Sequence, residues 1–295
     1  MTSSHHQKTF PKRFVGLLFL LPFLALYVLF YFVSTAYAVF LSFYNQRGLN
    51  PPVFVGFSNF ARAFSDAQFL GSLETIARFA AVQIPIMLLL ALAFALYTDA
   101  RRSKLARVFT AAMFLPYALP GVVSGLMWGY LYSKSLSPFN DILAWFGLNF
   151  EFLSEDHLLF AIGNIFTWTW TGYNTIILAS SLKSIPPELY EAATVDGATP
   201  AQVVRFIKLP LLVPTLTLTL LFAIIGVLQI FTEPFVLKAL AYVPTNLTPN
   251  LYIYSTAFSY GNFNYAAALS VIVAVLAFAL SSVLLGLMNR NRSAL

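Results

Sequence analysis

The chain has 295 residues, of which 59% are hydrophobic and only 9% carry a charge. About a quarter of the residues of a soluble domain are charged, so this composition excludes an ordinary soluble protein and indicates an integral membrane protein. Cysteine is absent and the net charge of +6 is spread over the ends of apolar runs, which excludes disulfides and thiolate metal sites and argues against a basic surface for nucleic acid.

Six apolar runs reach the length of about 20 residues that a helix needs to cross a bilayer. They cover approximately residues 14–43, 75–98, 108–132, 158–182, 211–237 and 263–288. The first run is longer than the apolar core of a secretory signal, which has about 7 to 15 residues, so it is predicted to persist as a helix. The expected fold is an all-α membrane protein with six transmembrane helices in a single domain, residues 1–295.

Basic residues predict which side of the membrane each loop faces, because Lys and Arg are enriched in cytoplasmic loops. Twelve of the 17 basic residues fall in the two tails and in the loops on the same side as the tails. The other five are Arg47, Arg62, Arg78, Lys134 and Lys238. Both termini of this multi-pass protein are therefore expected on the cytoplasmic side of the cell (plasma or inner) membrane, together with the polar segment 186–210.

Two local features are expected before the fourth run. Phe57, Phe60 and Phe64 have the spacing of a short amphipathic helix in the first outer loop. Pro116 and Pro120 in the third run agree either with ordinary packing of membrane helices or with a break of that span beside a translocation path.

The segment 186–210 carries the signals of two short helices. Ser184 is expected to cap a first helix whose opening residues are two prolines, and Gly197 is expected to end it in a left-handed conformation. Thr199-Pro200-Ala201-Gln202 is a capping box with proline at the first helical position, so it opens a second helix. That helix is predicted to stop before Pro210.

The surface of this segment favours docking to another protein. It combines small or apolar side chains with carboxylates, at Leu189, Ala192, Ala193 and Val195 and at Glu188, Glu191 and Asp196. A helix that only rested on the membrane is expected to have a polar side rich in Lys and Arg, which these acids contradict. A simple connection between two spans also needs only a handful of residues.

The same segment matches a known motif. Glu191-Ala192-Ala193, Gly197 and Ile207 with Leu209-Pro210 have the spacing EAA(x3)G(x9)I(x)LP. This highly specific spacing resembles the EAA loop of the permease subunits of binding-protein-dependent ABC importers. Residues 191–198 resemble the carbohydrate-uptake permeases of the maltose and glycerol-phosphate type in particular. The likeness covers most of the chain, through residues 54–60, 114–116, 185–190, 231–236 and 266–270.

The resemblance implies a coupling helix pair between the fourth and fifth spans, received by a groove in a cytoplasmic ATPase subunit. Glu191 would be the acidic contact with that subunit, and Gly197 the turn that permits the bend. The partners implied are a second homologous permease, two ABC ATPase subunits and an extracytoplasmic sugar-binding protein. ATP and Mg would be bound by the ATPase subunits, and this chain would bind no cofactor. The coupling residues implied are Glu188, Glu191, Ala192, Ala193, Asp196, Gly197, Ile207, Leu209 and Pro210.

Sugar recognition requires aromatic faces and planar polar groups, which are costly in lipid unless they line a cavity. Helical spacing places three sets on single faces: Trp170, Tyr173 and Asn174 in the fourth run, Gln229 and Glu233 in the fifth, and Tyr117, Gly121, Trp128 and Tyr132 in the third. The alternative for such aromatics is a belt at the membrane interface, which is preferred for Tyr132 and Trp168. The candidates for the substrate path are therefore Tyr117, Trp128, Trp170, Tyr173, Asn174, Gln229 and Glu233.

These features distinguish between three classes of function. The expected one is the membrane-spanning subunit of an ATP-driven importer for a mono-, di- or oligosaccharide, or a related polyol or glycerol phosphate. A stand-alone secondary transporter or channel would have inverted repeats and buried ionisable residues, and neither is evident. A membrane-embedded enzyme would need a catalytic pair or metal ligands; the sequence has no GxxxxGK[ST], HExxH or GxSxG motif and no metal cluster, so neither a catalytic nor a metal site is expected.

Overall fold

The computed structural model describes residues 12–46, 50–100, 103–148 and 150–292. These described residues divide into two compact units, which lie within Met1–Phe64 with Thr256–Ile272 and within Ser65–Ser255 with Val273–Leu295. Four of the basic residues used above to orient the loops, Lys8, Arg47, Arg101 and Arg102, lie outside the described residues.

The first unit begins with a long apolar helix. Helix α1 (Lys12–Tyr27), a π-helical turn (Val28–Val33) and helix α2 (Ser34–Ser42) follow one another without a break, because the residues at both junctions keep right-handed helical dihedral angles. The part Leu18–Ser42 is 25 residues long and apolar enough to cross a membrane. The long first helix expected from the sequence is therefore present.

A hairpin and a short helix complete the amino-terminal part of this unit. Strand β1 (Tyr44–Asn45) pairs antiparallel with strand β2 (Val53–Phe54), and helix α3 (Ser58–Ala63) follows. The buried amide of Asn59 donates hydrogen bonds of 2.8 Å to the carbonyl oxygens of Ser42 and Tyr44, which hold α3 against the end of α2. The helix predicted in the first outer loop is thus observed.

The second unit contains most of the remaining helices. They are α4 (Ala67–Ala100), α5 (Lys104–Ala118), α6 (Gly121–Tyr132), α7 (Pro138–Trp145), α8 (Leu158–Lys183), α9 (Pro187–Val195), α10 (Pro200–Val203), α11 (Leu209–Leu228), α12 (Thr232–Leu237) and α13 (Pro249–Tyr254), with a π-helical turn at Val204–Lys208. A further π-helical turn (Ser255–Ser259) and the long helix α14 (Phe263–Arg292) follow and extend through both units.

Within the described residues, four helices are long and apolar enough to cross a membrane: Leu18–Ser42, Ala67–Ala100, Pro200–Leu237 and Phe263–Gly286. The bent pair α5 and α6 makes a fifth candidate if the two count as one span. The predicted fourth span corresponds to α8, which has 26 residues but does not reach the same apolarity. Its Trp, Tyr, Thr and Asn residues reduce its hydropathy, and much of its surface is covered by protein.

The predicted third span is interrupted. Helix α5 ends at Ala118 and α6 begins at Gly121, and the two axes differ by more than 40°. Leu119 adopts an extended conformation because Pro120 disfavours helical dihedral angles in the residue before it. The break favoured by one of the two interpretations of these prolines is therefore present. Tyr117 and Trp128, predicted to share one helical face, lie instead on different helices.

Helix α8 packs closely against its neighbours at small residues. A Cβ atom added at Gly172 would lie 1.6 Å from the carbonyl oxygen of Met113 in α5, so only glycine permits this backbone approach. Side chains of α4 and α8, including Phe79, Ile84 and Phe166, form one buried cluster with residues of α11. Residues of α4, α8 and α11 and the residue Ile185 form a second buried cluster, against which Tyr190 of the segment 186–210 packs: Ala91, Ala95, Leu178, Ala179, Leu182, Ile185 and Leu212.

Candidate functional site

The first helix of the segment 186–210 is α9, which begins at Pro187 with Pro186 as its N-cap. The predicted cap at Ser184 is wrong, because that residue has a helical conformation, closes α8, and donates its hydroxyl hydrogen bond to the carbonyl of Ser181 at 2.7 Å. Glu188 lies in the first turn of α9, where a carboxylate interacts favourably with the helix dipole.

Gly197 ends α9 as predicted. Its φ of +74° is in the left-handed region, which glycine adopts without steric cost. Its N–H donates to the carbonyl of Thr194 at 3.1 Å, and the N–H of Ala198 donates to that of Ala193 at 2.9 Å. These two bonds form a Schellman motif, which fixes the direction in which the chain leaves the helix.

The capping box at the start of α10 is also present. The Thr199 hydroxyl accepts a hydrogen bond from the Gln202 N–H at 3.4 Å, and the Gln202 side chain accepts one from the Thr199 N–H at 2.7 Å. The predicted stop before Pro210 is wrong, since α10, the π-helical turn and α11 are continuous from Pro200 to Leu228. In the wider π-helical turn the N–H of Leu209 donates a hydrogen bond to the carbonyl of Val204. This turn accommodates Pro210, which follows it.

One side of this segment is open to solvent. The side chains of Glu188, Leu189, Glu191, Ala192, Val195 and Asp196 are exposed, and Leu189 and Val195 are 44% and 87% exposed although they are apolar. Phe206 in the π-helical turn is 66% exposed. Ala193, Ile207 and Leu209 are half-buried, and Pro210 is exposed. Apolar side chains among carboxylates form the kind of surface that a partner protein covers.

The opposite side of the segment contacts helices α4, α8 and α11. Tyr190 packs against the second buried cluster. Lys208 forms an ion pair with Asp99 of α4, with 2.6 Å between Nζ and Oδ2, and its Nζ lies 5.3 Å from the centre of the Tyr190 ring. The segment is therefore held on one side and free on the other.

Three of the predicted substrate-path residues form an aromatic cluster between α5 and α8. The ring of Tyr117 stacks on that of Tyr173 at 4.5 Å between centroids and meets Trp170 edge-on at 5.4 Å. Asn174 is buried beside them, and its amide donates to the carbonyl of Trp170 at 2.9 Å and to Sδ of Met87 at 3.2 Å.

A narrow cavity lies next to this cluster. It is lined by Met87, Phe166, Trp170, Tyr173, Asn174, Phe222, Ala223 and Gly226 and has a volume of about 20 Å³. A cavity of that size holds about one water molecule and no sugar ring. Helices α4, α8 and α11 therefore line a small, mostly apolar space into which one amide side chain, that of Asn174, also reaches.

Comparison with known proteins assigns the family. Residues 87–292 match the model of the family described as binding-protein-dependent transport system inner membrane component. The chain belongs to this family of permeases. It is accordingly an inner-membrane, multi-pass component of a transport system and not an ATPase, and the resemblance found in the EAA motif is confirmed.

Two relatives of the permease are similar to it over nearly its whole length. A lactose transport system permease protein of Rhizobium radiobacter is 31% identical and the alignment covers 90% of this chain and 91% of that protein. A trehalose/maltose transport system permease protein of Thermococcus litoralis is 30% identical with 92% of each chain covered. A solved bacterial ABC transporter involved in the import of the acidic polysaccharide alginate shares the fold, with a TM-score of 0.82, 23% identity, and 95% and 96% of the two chains covered.

The other predicted substrate-path residues of the permease lie apart from the aromatic cluster. Trp128 contacts Tyr132 and Trp168 and lines a separate cavity of about 400 Å³. Gln229 and Glu233 do not share one helical face as predicted, because the helix is broken at Phe231, whose φ and ψ are −143° and −46°. Gln229 is exposed at the end of α11, and Glu233 is half-buried in the first turn of α12.

Several residues of these sites were not predicted from the sequence. Met87, Phe222 and Gly226 line the narrow cavity, but apolar residues in apolar helices give no local signal of such a role. Asp99 and Lys208 gave no specific signal, because both are charged residues beside apolar runs, where charges are common, and the 109 residues between them hide the pairing.

Proposed function

We propose that this permease is the membrane-spanning subunit of an ATP-driven ABC importer for a sugar or oligosaccharide, or for a related polyol or glycerol phosphate. The relatives that transport lactose and trehalose or maltose support the sugar class. An arabinooligosaccharide permease of Bacillus subtilis is also similar, at 27% identity over 94% of this chain. The substrate reaches the outer side on an extracytoplasmic binding protein, as the family description indicates.

The exposed side of the segment 186–210 carries this proposal. Its two capped helices present carboxylates and apolar side chains to the solvent, and the Schellman motif and capping box fix the angle between the helices. A groove in a cytoplasmic ATPase subunit receives this side, with Glu191 as the acidic contact. ATP and Mg bind to two such subunits, whose closure moves the segment.

The complete assembly pairs this chain with a second homologous permease. Six helices cross the membrane and both termini are cytoplasmic. The sixth crossing is α8, because 26 residues at 1.5 Å per residue give about 39 Å, which exceeds the ~30 Å of the hydrocarbon core. Its Asn174 is buried and its Trp168, Trp170 and Asn164 are half-buried, so these side chains need not be as apolar as lipid-facing ones.

The substrate crosses next to the aromatic cluster of Tyr117, Trp170 and Tyr173. Aromatic faces interact with the CH groups of a sugar ring, and the cavity beside them is lined by helices that contact the segment 186–210 at their other ends. At about 20 Å³ the cavity is too small for a sugar ring, so it has to widen for the substrate to pass. Movement of the segment opens it alternately to the two sides.

The test is to isolate the tagged permease in mild detergent from its native membrane, to identify what remains bound, and to reconstitute the assembly in liposomes. We expect an ATPase and a second permease to be recovered, and sugar uptake to need both ATP and the binding protein. Changing Glu191 and Gly197 together should release the ATPase. Recovery of the chain alone, with uptake that needs no ATP, would support the stand-alone secondary transporter instead.

A further inference from the structure

The ion pair between Asp99 and Lys208 joins two parts of the permease that are 109 residues apart in sequence. Both side chains are largely removed from solvent, with 13% of Lys208 and 14% of Asp99 exposed. A charge in such a place is costly unless its partner stays close, so the two residues hold each other in position. Their contact connects the end of α4 with the π-helical turn of the segment 186–210.

The position of Asp99 in α4 shows that its negative charge does not stabilise this helix. Asp99 is the residue before the last of that helix, where the negative end of the helix dipole disfavours a carboxylate. The ion pair with Lys208 therefore offsets the unfavourable interaction between the Asp99 carboxylate and the helix dipole.

Tyr190 adds a third element to the contact. Its ring lies 5.3 Å from Nζ of Lys208, within the range of a cation–π interaction, and the same side chain packs against the cluster that includes Ala91 and Ala95 of α4. Helix α9, the π-helical turn and the end of α4 thus meet at one place. A displacement of α9 and α10 either moves α4 or separates a nearly buried pair of charges.

Helix α4 also reaches the narrow cavity. Met87, which lines that cavity and accepts the amide hydrogen bond of Asn174, precedes Asp99 by about 18 Å along the same helix at 1.5 Å per residue. A shift at Asp99 is therefore carried by a rigid helix to the wall of the cavity.

We propose that the Asp99–Lys208 ion pair beneath Tyr190 transmits the movement of the segment 186–210 to α4, and through Met87 to the cavity. Asp99 and Lys208 are positioning residues that couple ATP hydrolysis to opening of the path. This role rests on the proposed function, since it needs an ATPase that moves the segment.

The experiment measures ATP hydrolysis and ATP-driven uptake on the same liposomes that contain the complete assembly. Asp99→Asn and Lys208→Gln are each expected to lower the number of sugar molecules taken up per ATP about tenfold, while hydrolysis stays within about twofold of the unaltered assembly. The charge-exchanged protein with Asp99→Lys and Lys208→Asp is expected to recover most of the ratio. Arg78→Gln, which removes an exposed ion pair with Glu74 within α4, is the control and should change nothing.

An unchanged ratio in both single variants would overturn the proposal. Loss of assembled protein in the single variants, without recovery in the exchanged protein, would assign the pair to folding alone and overturn it as well. Failure of the proposed function has a different result, because the unaltered assembly would then take up sugar without ATP.

Discussion

Gly197 and Gly147 end their helices in the same way on different loops of the chain. Gly147 has a φ of +72°, its N–H donates to the carbonyl of Ala144 at 3.0 Å, and the N–H of Leu148 donates to that of Leu143 at 3.0 Å. These are the angle and the bond pattern found at Gly197. The two glycines therefore differ in location and not in local geometry, which makes one a control for the other.

Gly197→Pro is expected to abolish uptake without lowering the amount of permease in the membrane. Proline fixes φ near −65° and removes the N–H that bonds to Thr194, so the angle between α9 and α10 is lost. Gly147→Pro imposes the same strain in the loop after α7 and should leave most of the uptake. Uptake and immunoblots of membranes measure both effects. Normal uptake by Gly197→Pro, or equal loss in the two variants, would contradict the role of the segment 186–210.

At the scale of the elements, local sequence signals predicted some helix ends and missed others. The turn at Gly197 and the capping box at Thr199 depend on neighbours within five residues and are as expected. The break before Pro120 is one of the two interpretations that its prolines allowed, and the cap expected at Ser184 is absent. The continuation through Pro210 depends on a wider turn, and the sequence pattern does not distinguish that turn from a helix end. The separation of Trp128 from Tyr117 follows from the break between α5 and α6, since a helical face extends only as far as its helix.

The packing between helices could not be predicted from the sequence, because it also depends on residues that are distant along the chain. Glycines occur in many apolar runs, and only the distant partner decides which one allows a close approach. Gly172 faces the backbone of α5, whereas a Cβ atom at Gly71 in α4 would meet nothing within 4 Å. Helix association in a membrane relies on such close contacts, because lipid supplies no hydrophobic driving force.

Gly172→Ala is expected to destabilise the permease by about 1–3 kcal/mol, the usual cost of overpacking. The new methyl group would overlap the carbonyl of Met113, so α5 and α8 must move apart. Gly71→Ala makes the same change inside α4 where there is room, and should stabilise by up to about 1 kcal/mol because alanine has the higher helix propensity. The midpoint of thermal unfolding in detergent measures both. Equal midpoints for the two variants would show that α5 and α8 do not pack as closely as described.

At the scale of the whole molecule, the proposed sixth crossing and the proposed orientation both depend on whether α8 spans the membrane. Ser135 precedes this helix and Ser184 follows it directly, and both side chains are exposed. The chain contains no cysteine, so a single introduced thiol reports its own location without background. The two serines therefore offer matched positions at the two predicted sides of the membrane.

Ser135→Cys is expected to react with an impermeant maleimide added from outside, and Ser184→Cys only after the membrane is opened. The excess of Lys and Arg on one set of loops is the reason for this orientation. Labelling of intact and permeabilised cells measures both positions. The opposite pattern would reverse the topology, and labelling of both thiols from outside would mean that α8 does not cross.

The unbroken helix from Pro200 to Leu228 has a mechanical consequence. It includes 29 residues and contributes both a capped end on the segment 186–210 and the cavity-lining Phe222, Ala223 and Gly226. Such a rod acts as a lever: over the roughly 39 Å from Pro200 to Gly226, a tilt of about 5° displaces the far end by about 3 Å. That displacement is about the diameter of a water molecule, so a rotation of a few degrees at the Pro200 end is enough to begin widening the cavity.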